Sequence, residues 1–398
     1  MNQTFLKAVP ILTKVEEAGF EAYFVGGSVR DYLLDKEIND VDIATSATPS
    51  EIKSIFRKTV DIGIEHGTVM VIQDGEGYEI TTFRTETGYS DFRRPDTVQF
   101  IRTLEEDLKR RDFTMNAIAM NKDGDLIDPF HGKKDIVEKR IVTVGNPDER
   151  FREDALRMMR AIRFVSQLTF ELDGQTLESL KKNGYLLENI AVERIFGEFE
   201  KMLKGKGRKK AFELLNASGL YTYLPGFSSQ GKALEALQAL PLQKTDDPVE
   251  LWSLLMILCQ IDHIESLLRA WKMPLKQIRE IQSISRHVTA GTDFTNDRLA
   301  LLTTGMKEAV KVVRVMAVLE NKDERESERR IREAVERLPI HDMSELAVNG
   351  NDLVTWYGRR PGSWIKEELQ FILKSILNGE TVNRQEAIKE WLMFCDRM

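Results

Sequence analysis

The sequence predicts an α+β chain, a mixed N-terminal part followed by an all-α remainder. Three observations carry that expectation. Short runs rich in β-branched and aromatic residues, bounded by Gly, Asp and Asn, are concentrated before about residue 140. Beyond about residue 145 the apolar residues recur at spacings of three and four, the helical period. A chain of 398 residues is also long enough for two or more domains, each with its own core.

The elements follow in order. "EAYFVGG" (21–27), "DVDIATS" (40–46), "GTVMVIQDG" (67–75) and "YEITTFR" (78–84) read as strands, and "DGEG" (74–77) as a hairpin turn between the last two. "PSEIKSIFRK" (49–58) reads as a helix opened by Thr48, Pro49 and Ser50. "DALRMMRAIRFVSQL" (154–168), "VERIFGEFEKML" (192–203), "KKAFELLNAS" (209–218), "LWSLLMILCQ" (251–260) and "IREAVERL" (331–338) repeat apolar residues at three and four and read as helices. The run "KDERESERRIRE" (322–333) mixes charge signs at helical spacing, the mark of a solvated helix face.

Composition narrows the function classes. No apolar run approaches the roughly 20 residues of a membrane helix. The N-terminus lacks the basic start and apolar stretch of a signal peptide. Cys259 and Cys395 are far apart, with neither metal-site nor disulfide spacing, which suits a reducing cytoplasm. The five histidines make no ligand spacing, so they read as structural or surface groups. A net charge of −7 argues against a uniformly basic nucleic-acid coat but leaves room for local patches.

Chemistry concentrates in four stretches. In "YFVGGSVRDYLL" a strand meets a helix through Gly26, Gly27 and Ser28, a turn whose N–H groups suit phosphate, with Arg30 on the first helical turn. In "DVDIA" the i, i+2 spacing aims Asp40 and Asp42 at one spot, with Val41 and Ile43 facing the core. Two carboxylates that close repel unless a cation joins them, and Mg²⁺ is the natural one because it shares its oxygen ligands with phosphates. "DLKRRDFTMNAIAM" supplies Arg110, Arg111, Asp112 and Asn116. "RFREDALRMMRAIRF" sets Glu153, Asp154, Arg157, Arg160 and Arg163 on what reads as one helix. Each stretch has a plain structural reading as well: a glycine turn, an acidic strand edge, and a surface salt bridge between Asp154 and Arg157.

Taken together, "GGSVRD", "DVDIATSA", "RRDFTMNAIA", "DPFHGKKDI" and "EDALRMMRAIRF" resemble the ordered motifs of the bacterial-type (class II) tRNA nucleotidyltransferases that add CCA. "VERIFGEFEKML" is similar to the next motif of that family. The resemblance is strong over about 1–225 and looser beyond, for instance at "RRPGSWIKEEL" (359–369). It implies a nucleotidyltransferase head of the polymerase β superfamily with a small mixed β-sheet (1–140). A helical neck (141–205), body (206–320) and tail (321–398) would follow, holding tRNA.

The resemblance further implies Asp40 and Asp42 as catalytic Mg²⁺ ligands. It implies Gly27, Arg30, Arg111, Asp154, Arg157, Arg160 and Arg163 as the residues that bind CTP and ATP. Asp154 can only accept hydrogen bonds and Arg157 can only donate, which matches the amino group and bare ring nitrogen of cytosine and adenine. Uracil and guanine present the reverse pattern. Glu79 is a candidate third carboxylate, and "RTETGYSDFRRPDTV" (84–98) reads as a mobile polar loop resembling the one used in switching from C to A. Arg194–Lys210 carries seven basic and two acidic residues and is the candidate phosphate-contact segment, with Gly205 and Gly207 breaking the helix. A homodimer is compatible with the sequence, and no membrane association is expected. A bacterial poly(A) polymerase and a non-catalytic RNA-binding scaffold stay open as alternatives.

Overall fold

The computed structural model describes residues 1–38, 40–87 and 97–397. The chain divides into two compact units, Met1–Gln238 with Ala270–Lys272, and Ala239–Arg269 with Met273–Met398.

The first unit opens with helix α1 (Gln3–Glu17), which buries Phe5, Ala8, Ile11, Leu12 and Val15 along one stripe. Next come β1 (Ala22–Val25), α2 (Gly27–Leu33), β2 (Asp42–Thr45), α3 (Pro49–Ile55), β3 (Thr59–Gly63), β4 (Thr68–Gln73) and β5 (Glu76–Thr82). Thr48 caps α3 through a reciprocal exchange with Glu51, and Pro49 occupies the first turn. The β4–β5 turn is made by Asp74 and Gly75, both with positive φ (53° and 86°). Then follow β6 (Arg84–Thr87), β7 (Thr97–Phe100), α4 (Leu104–Lys109), β8 (Ala119–Met120) and β9 (Leu126–Ile127).

The main sheet has the order β3-β4-β5-β2-β1-β8-β9, and it is mixed: β2 and β5 run parallel while the other pairs are antiparallel. Strands β3, β8 and β9 escape the sequence pattern. Two of them are only two residues long, and β3 lies at the sheet edge with Val60 and Ile62 exposed. Val25, Ala44, Phe83, Leu108, Ala117 and Ala119 form a core cluster. The segment expected as a polar loop instead begins and ends in strand, because β6 and β7 pair from Arg84↔Phe100 to Thr87↔Thr97. Residues 88–96 of that segment lie outside the described residues.

The unit continues through α5 (Gly132–Val137), β10 (Arg140–Ile141), α6 (Pro147–Glu153), α7 (Leu156–Leu168), β11 (Glu171–Leu172), α8 (Gly174–Asn183), α9 (Val192–Leu203), α10 (Arg208–Ala217) and α11 (Gly231–Ala239). The single helix expected across 153–163 is two. Asp154 is extended (φ −138°, ψ 103°), and its Oδ1 accepts the Leu156 N–H at 3.0 Å, so the side chain ends α6 and starts α7. The glycines between α9 and α10 serve close packing against α7. A Cβ on Gly205 would lie 2.2 Å from Ser166 Oγ and 2.5 Å from the Ser166 backbone.

The second unit is helical. It runs through α12 (Pro248–Leu258), α13 (Ile264–Ala270), α14 (Leu275–Thr289), α15 (Arg298–Thr304), α16 (Met306–Leu319) and α17 (Glu324–Glu336). Helices α12, α14 and α16 pack together, with α17 along α16. On α17, Arg329 and Arg330 pair with Glu326 on an exposed face, as its mixed charge pattern predicts. A second core joins Val348, Leu353, Ile372, Ile376, Ile388 and Leu392. Among the described residues no helix is long and apolar enough to cross a membrane.

Candidate active site

The first unit holds a cavity of about 600 Å³. Of the residues singled out in the sequence, Gly27, Arg30, Asp42, Arg111, Asp154, Arg157, Arg160 and Arg163 all line it. They come from α2, β2, the segment after α4, the α6–α7 joint at Asp154, and α7 itself. Among the described residues, Arg30, Arg84, Arg110, Arg111, Arg157, Arg160, Arg163 and Arg194 face three lining carboxylates, those of Asp42, Asp112 and Asp154. So strong an excess of guanidinium suits a polyanion.

Asp42 opens β2 and is exposed, and Val41 and Ile43 are buried beside it. Asp40 precedes the strand instead of lying on it; it is exposed and does not line the cavity. The two remain close enough to couple. Crowding by protein pushes the Asp42 pKa up, Arg111 opposes it, and Glu79 and Asp40 add to the rise. Glu79 is the register partner of Asp42 across the parallel β2–β5 pair. Among the described residues no group of three or more acidic, His or Cys side chains has an arrangement that would hold a metal ion. The oxygen-only pair Asp40 and Asp42, charged alike and mutually destabilising, nonetheless fits a hard cation that takes its remaining ligands from water and phosphate. Gly26, with φ 72°, permits this geometry: a Cβ there would sit 3.1 Å from Arg111 Nη1 and 3.5 Å from Asp42 Oδ2.

The arginines are held, not loose. Buried Asp107 pairs with Arg110 at 2.7 Å and Arg111 at 3.1 Å. Burial alone would raise the Asp107 pKa, but the two guanidiniums bring it below the ordinary value. Buried Asp112 accepts from Arg160 Nε at 2.7 Å, from Asn116 Nδ2 at 3.0 Å and from the Phe113 N–H at 2.8 Å. Its burial is outweighed, above all by Arg160, and its pKa falls far below the usual carboxylate range. Asn116 passes the order on, because its Oδ1 accepts from Arg30 Nη1 at 2.7 Å. Burial lowers the Arg163 pKa to about 10; Glu198, 3.1 Å away, pulls the other way and Arg160 adds to the fall.

Phe164 forms the floor, with Arg163, Arg30 and Arg160 at 4.1, 5.2 and 5.6 Å from its ring. Among the described residues the buried Nε of Arg111 lacks a hydrogen-bond partner, the condition that an anionic ligand would relieve, whereas the Arg163 Nε faces Glu198 Oε2 at 3.1 Å.

Asp154 and Arg157 do not pair with each other. Arg157 Nη1 meets Glu153 Oε2 at 2.6 Å and donates to the Arg150 carbonyl at 3.0 Å, while Nη2 donates to the Arg110 carbonyl at 2.9 Å. Asp154 Oδ2 meets Arg194 Nη2 at 2.9 Å. The surface salt bridge between the two residues is therefore absent, and both line the cavity.

Comparison with known proteins bears on this arrangement. The family model "Poly A polymerase head domain" matches residues 22–142, "Probable RNA and SrmB- binding site of polymerase A" matches 169–230, and a "tRNA nucleotidyltransferase domain 2" model matches 243–392. A CCA-adding enzyme of Geobacillus sp. (strain WCH70) is 45% identical over 396 residues, 99% of this chain and 98% of that protein. The chain belongs to the CCA-adding enzyme family. The crystal structure of the Bacillus stearothermophilus CCA-adding enzyme in complex with CTP superposes with a TM-score of 0.93 at 42% identity, covering 100% of this chain and 98% of that one. A tRNA nucleotidyltransferase complexed with a primer tRNA and an incoming ATP analog matches at 25% identity and a TM-score of 0.62, over 82% of this chain and 98% of that one.

For a CCA-adding enzyme, the motifs alone leave part of the cavity without a role. Asp112 and Asn116 stand in "RRDFTMNAIA" as bystanders, although they organise Arg160 and Arg30. Arg194 begins the basic segment 194–210, yet it turns to Asp154. That segment is also less open than its composition suggests. Arg208 is buried and donates to the Leu203 carbonyl, and Lys210 pairs with Glu171 at 2.6 Å. Lys204, Lys206 and Lys209 remain exposed. No local signal separates them from Arg208, because helical phase decides which side chain turns inward.

Proposed function

We propose that this protein adds CCA to the 3′ end of tRNA from CTP and ATP, without a nucleic-acid template and with release of pyrophosphate. The observation that carries the reading is the juxtaposition, in one arginine-lined cavity, of Asp42 with the adjacent acceptor and donor of Asp154 and Arg157. Membership of the family and the CTP, tRNA and ATP-analog ligands in the similar structures support it.

In this reading the tRNA 3′-hydroxyl attacks the α-phosphorus of the bound nucleotide and pyrophosphate leaves. Asp40 and Asp42 are the proposed Mg²⁺ ligands; family members generally depend on a metal, which when bound would lower the hydroxyl pKa and neutralise the leaving group. Gly27, Arg30, Arg111, Arg160 and Arg163 bind the triphosphate. Asn116 and Asp112 keep Arg30 and Arg160 in position. Asp154 accepts from the exocyclic amino group of C or A, and Arg157 donates to the neighbouring ring nitrogen. UTP and GTP would leave both groups facing the wrong edge, a mismatch worth up to roughly 10⁴-fold in the best cases.

We assign 1–140 to the catalytic head, 141–205 to a neck that selects the base, and 206–320 and 321–398 to a body and tail that hold tRNA. The segment around 84–98 is the proposed switch from C to A. The unpaired Cys259 and Cys395 support a cytoplasmic location.

One assay tests the whole. Purified protein is given Mg²⁺, a tRNA transcript ending at the discriminator base, and each labelled nucleotide in turn. Two C then one A is the expected product. A long A tail would make the protein a poly(A) polymerase, and no incorporation would make it a binding scaffold.

A further inference from the structure

Each oxygen of the Asp154 carboxylate has two acceptor positions. Oδ1 accepts the Leu156 N–H at 3.0 Å and Arg194 Nη1 at 3.4 Å. Oδ2 accepts Arg194 Nη2 at 2.9 Å. Among the described residues three of the four positions are thus taken by protein donors, and one, on Oδ2, is left for a ligand. The backbone alone does not fix this edge. Asp154 sits in an extended joint between two helices, where its χ torsions are restrained chiefly by what the carboxylate touches.

Arg194 comes from α9, 40 residues away, and lines the same cavity. Its planar fork grips both oxygens and so sets the plane of the carboxylate as well as its place. We infer that Arg194 is a positioning residue for base choice, orienting Asp154 so that its single open acceptor on Oδ2 faces the amino group of the incoming base.

The inference rests on the proposed reading of Asp154 as the base-reading acceptor. A carboxylate left to turn would present an acceptor to the amino group only part of the time. It would also cease to set a fixed unpaired oxygen against a carbonyl. CTP and ATP should then lose efficiency while UTP loses little, so the preference narrows. A lysine at 194 supplies one point-like donor and can hold one oxygen but not the plane.

The test is kcat/KM for CTP, ATP and UTP on a tRNA lacking CCA, with wild type, Arg194→Met, Arg194→Lys and Asp154→Ala. Arg194→Met is expected to lower CTP and ATP efficiency about tenfold and to narrow the CTP-over-UTP preference by about the same factor, the loss typical of one charge-assisted hydrogen bond. Arg194→Lys is expected to recover part of both. Should the Met variant not fold, Arg194→Gln, with its donor amide, carries the same comparison. Equal loss for all three nucleotides would make Arg194 a structural prop and overturn the inference. So would an unchanged preference in the Arg194 variants while Asp154→Ala loses its own. An unchanged preference in Asp154→Ala as well would remove the reading of Asp154 itself, and the inference with it.

Discussion

Replacing Asp112 by Asn should separate nucleotide affinity from nucleotide choice. The carboxylate is buried, with 8% of its surface accessible, and receives three donors from Arg160, Asn116 and the Phe113 N–H. Removing one partner of a buried ion pair commonly costs about 3–5 kcal/mol. Here 32% of the Arg160 side chain stays open to solvent, so its stranded charge is partly hydrated and about 2–3 kcal/mol is the better expectation. For a unit of this size that is a fall of roughly 5–10 °C in Tm. The effect on activity follows from the chain Arg160–Asp112–Asn116–Arg30: KM should rise for CTP and ATP alike, with the CTP-over-UTP ratio unchanged. The stability difference should also depend on pH. The folded pKa of Asp112 is depressed, so the stabilisation is complete above its unfolded value near ~4 and is lost as pH falls below that toward the folded value. Wild type and variant should thus converge in acid. Thermal melts between pH 3 and 7, with steady-state kinetics at neutral pH, measure both effects. A variant as stable as wild type at pH 7, or one whose base preference changes while its KM does not, would refute the reasoning.

Three further outcomes are expected. Asp40→Ala and Asp42→Ala should each abolish C and A addition with tRNA affinity nearly intact, and more than about a tenth of the wild-type kcat in either would end the metal assignment. Replacing Lys204, Lys206 and Lys209 together by Ala should weaken tRNA binding and flatten the slope of log K against log salt by up to nearly one unit for each phosphate no longer neutralised; an unchanged slope places the tRNA interface elsewhere. Gly205→Ala should destabilise the first unit by about 1–3 kcal/mol in denaturant titration, because its Cβ would meet the Ser166 backbone at 2.5 Å, and unaltered stability would mean that α7 can yield there.

The sequence by itself determined what depends on neighbours in the chain. The period of the apolar residues gave α9 its helical character, whereas α12 is buried on every face from Val249 to Met256 and carries no such period. Thr48 with Glu51 started α3, and Asp74–Gly75 turned the hairpin. The motif residues were legible for the same reason, since each motif is a short run whose chemistry does not need the rest of the fold. Tertiary structure alone decided which groups meet. Arg194 and Asp154 are 40 residues apart, Arg30 and Asn116 are 86 apart, and nothing local to either member announces its partner. The break at Asp154 was hidden because a helical apolar period runs through it, and a single side chain turned back to the Leu156 N–H overrides that period. Arg208 looked like its lysine neighbours until the phase of α10 turned it inward, for charge is a property of the residue and burial a property of the fold.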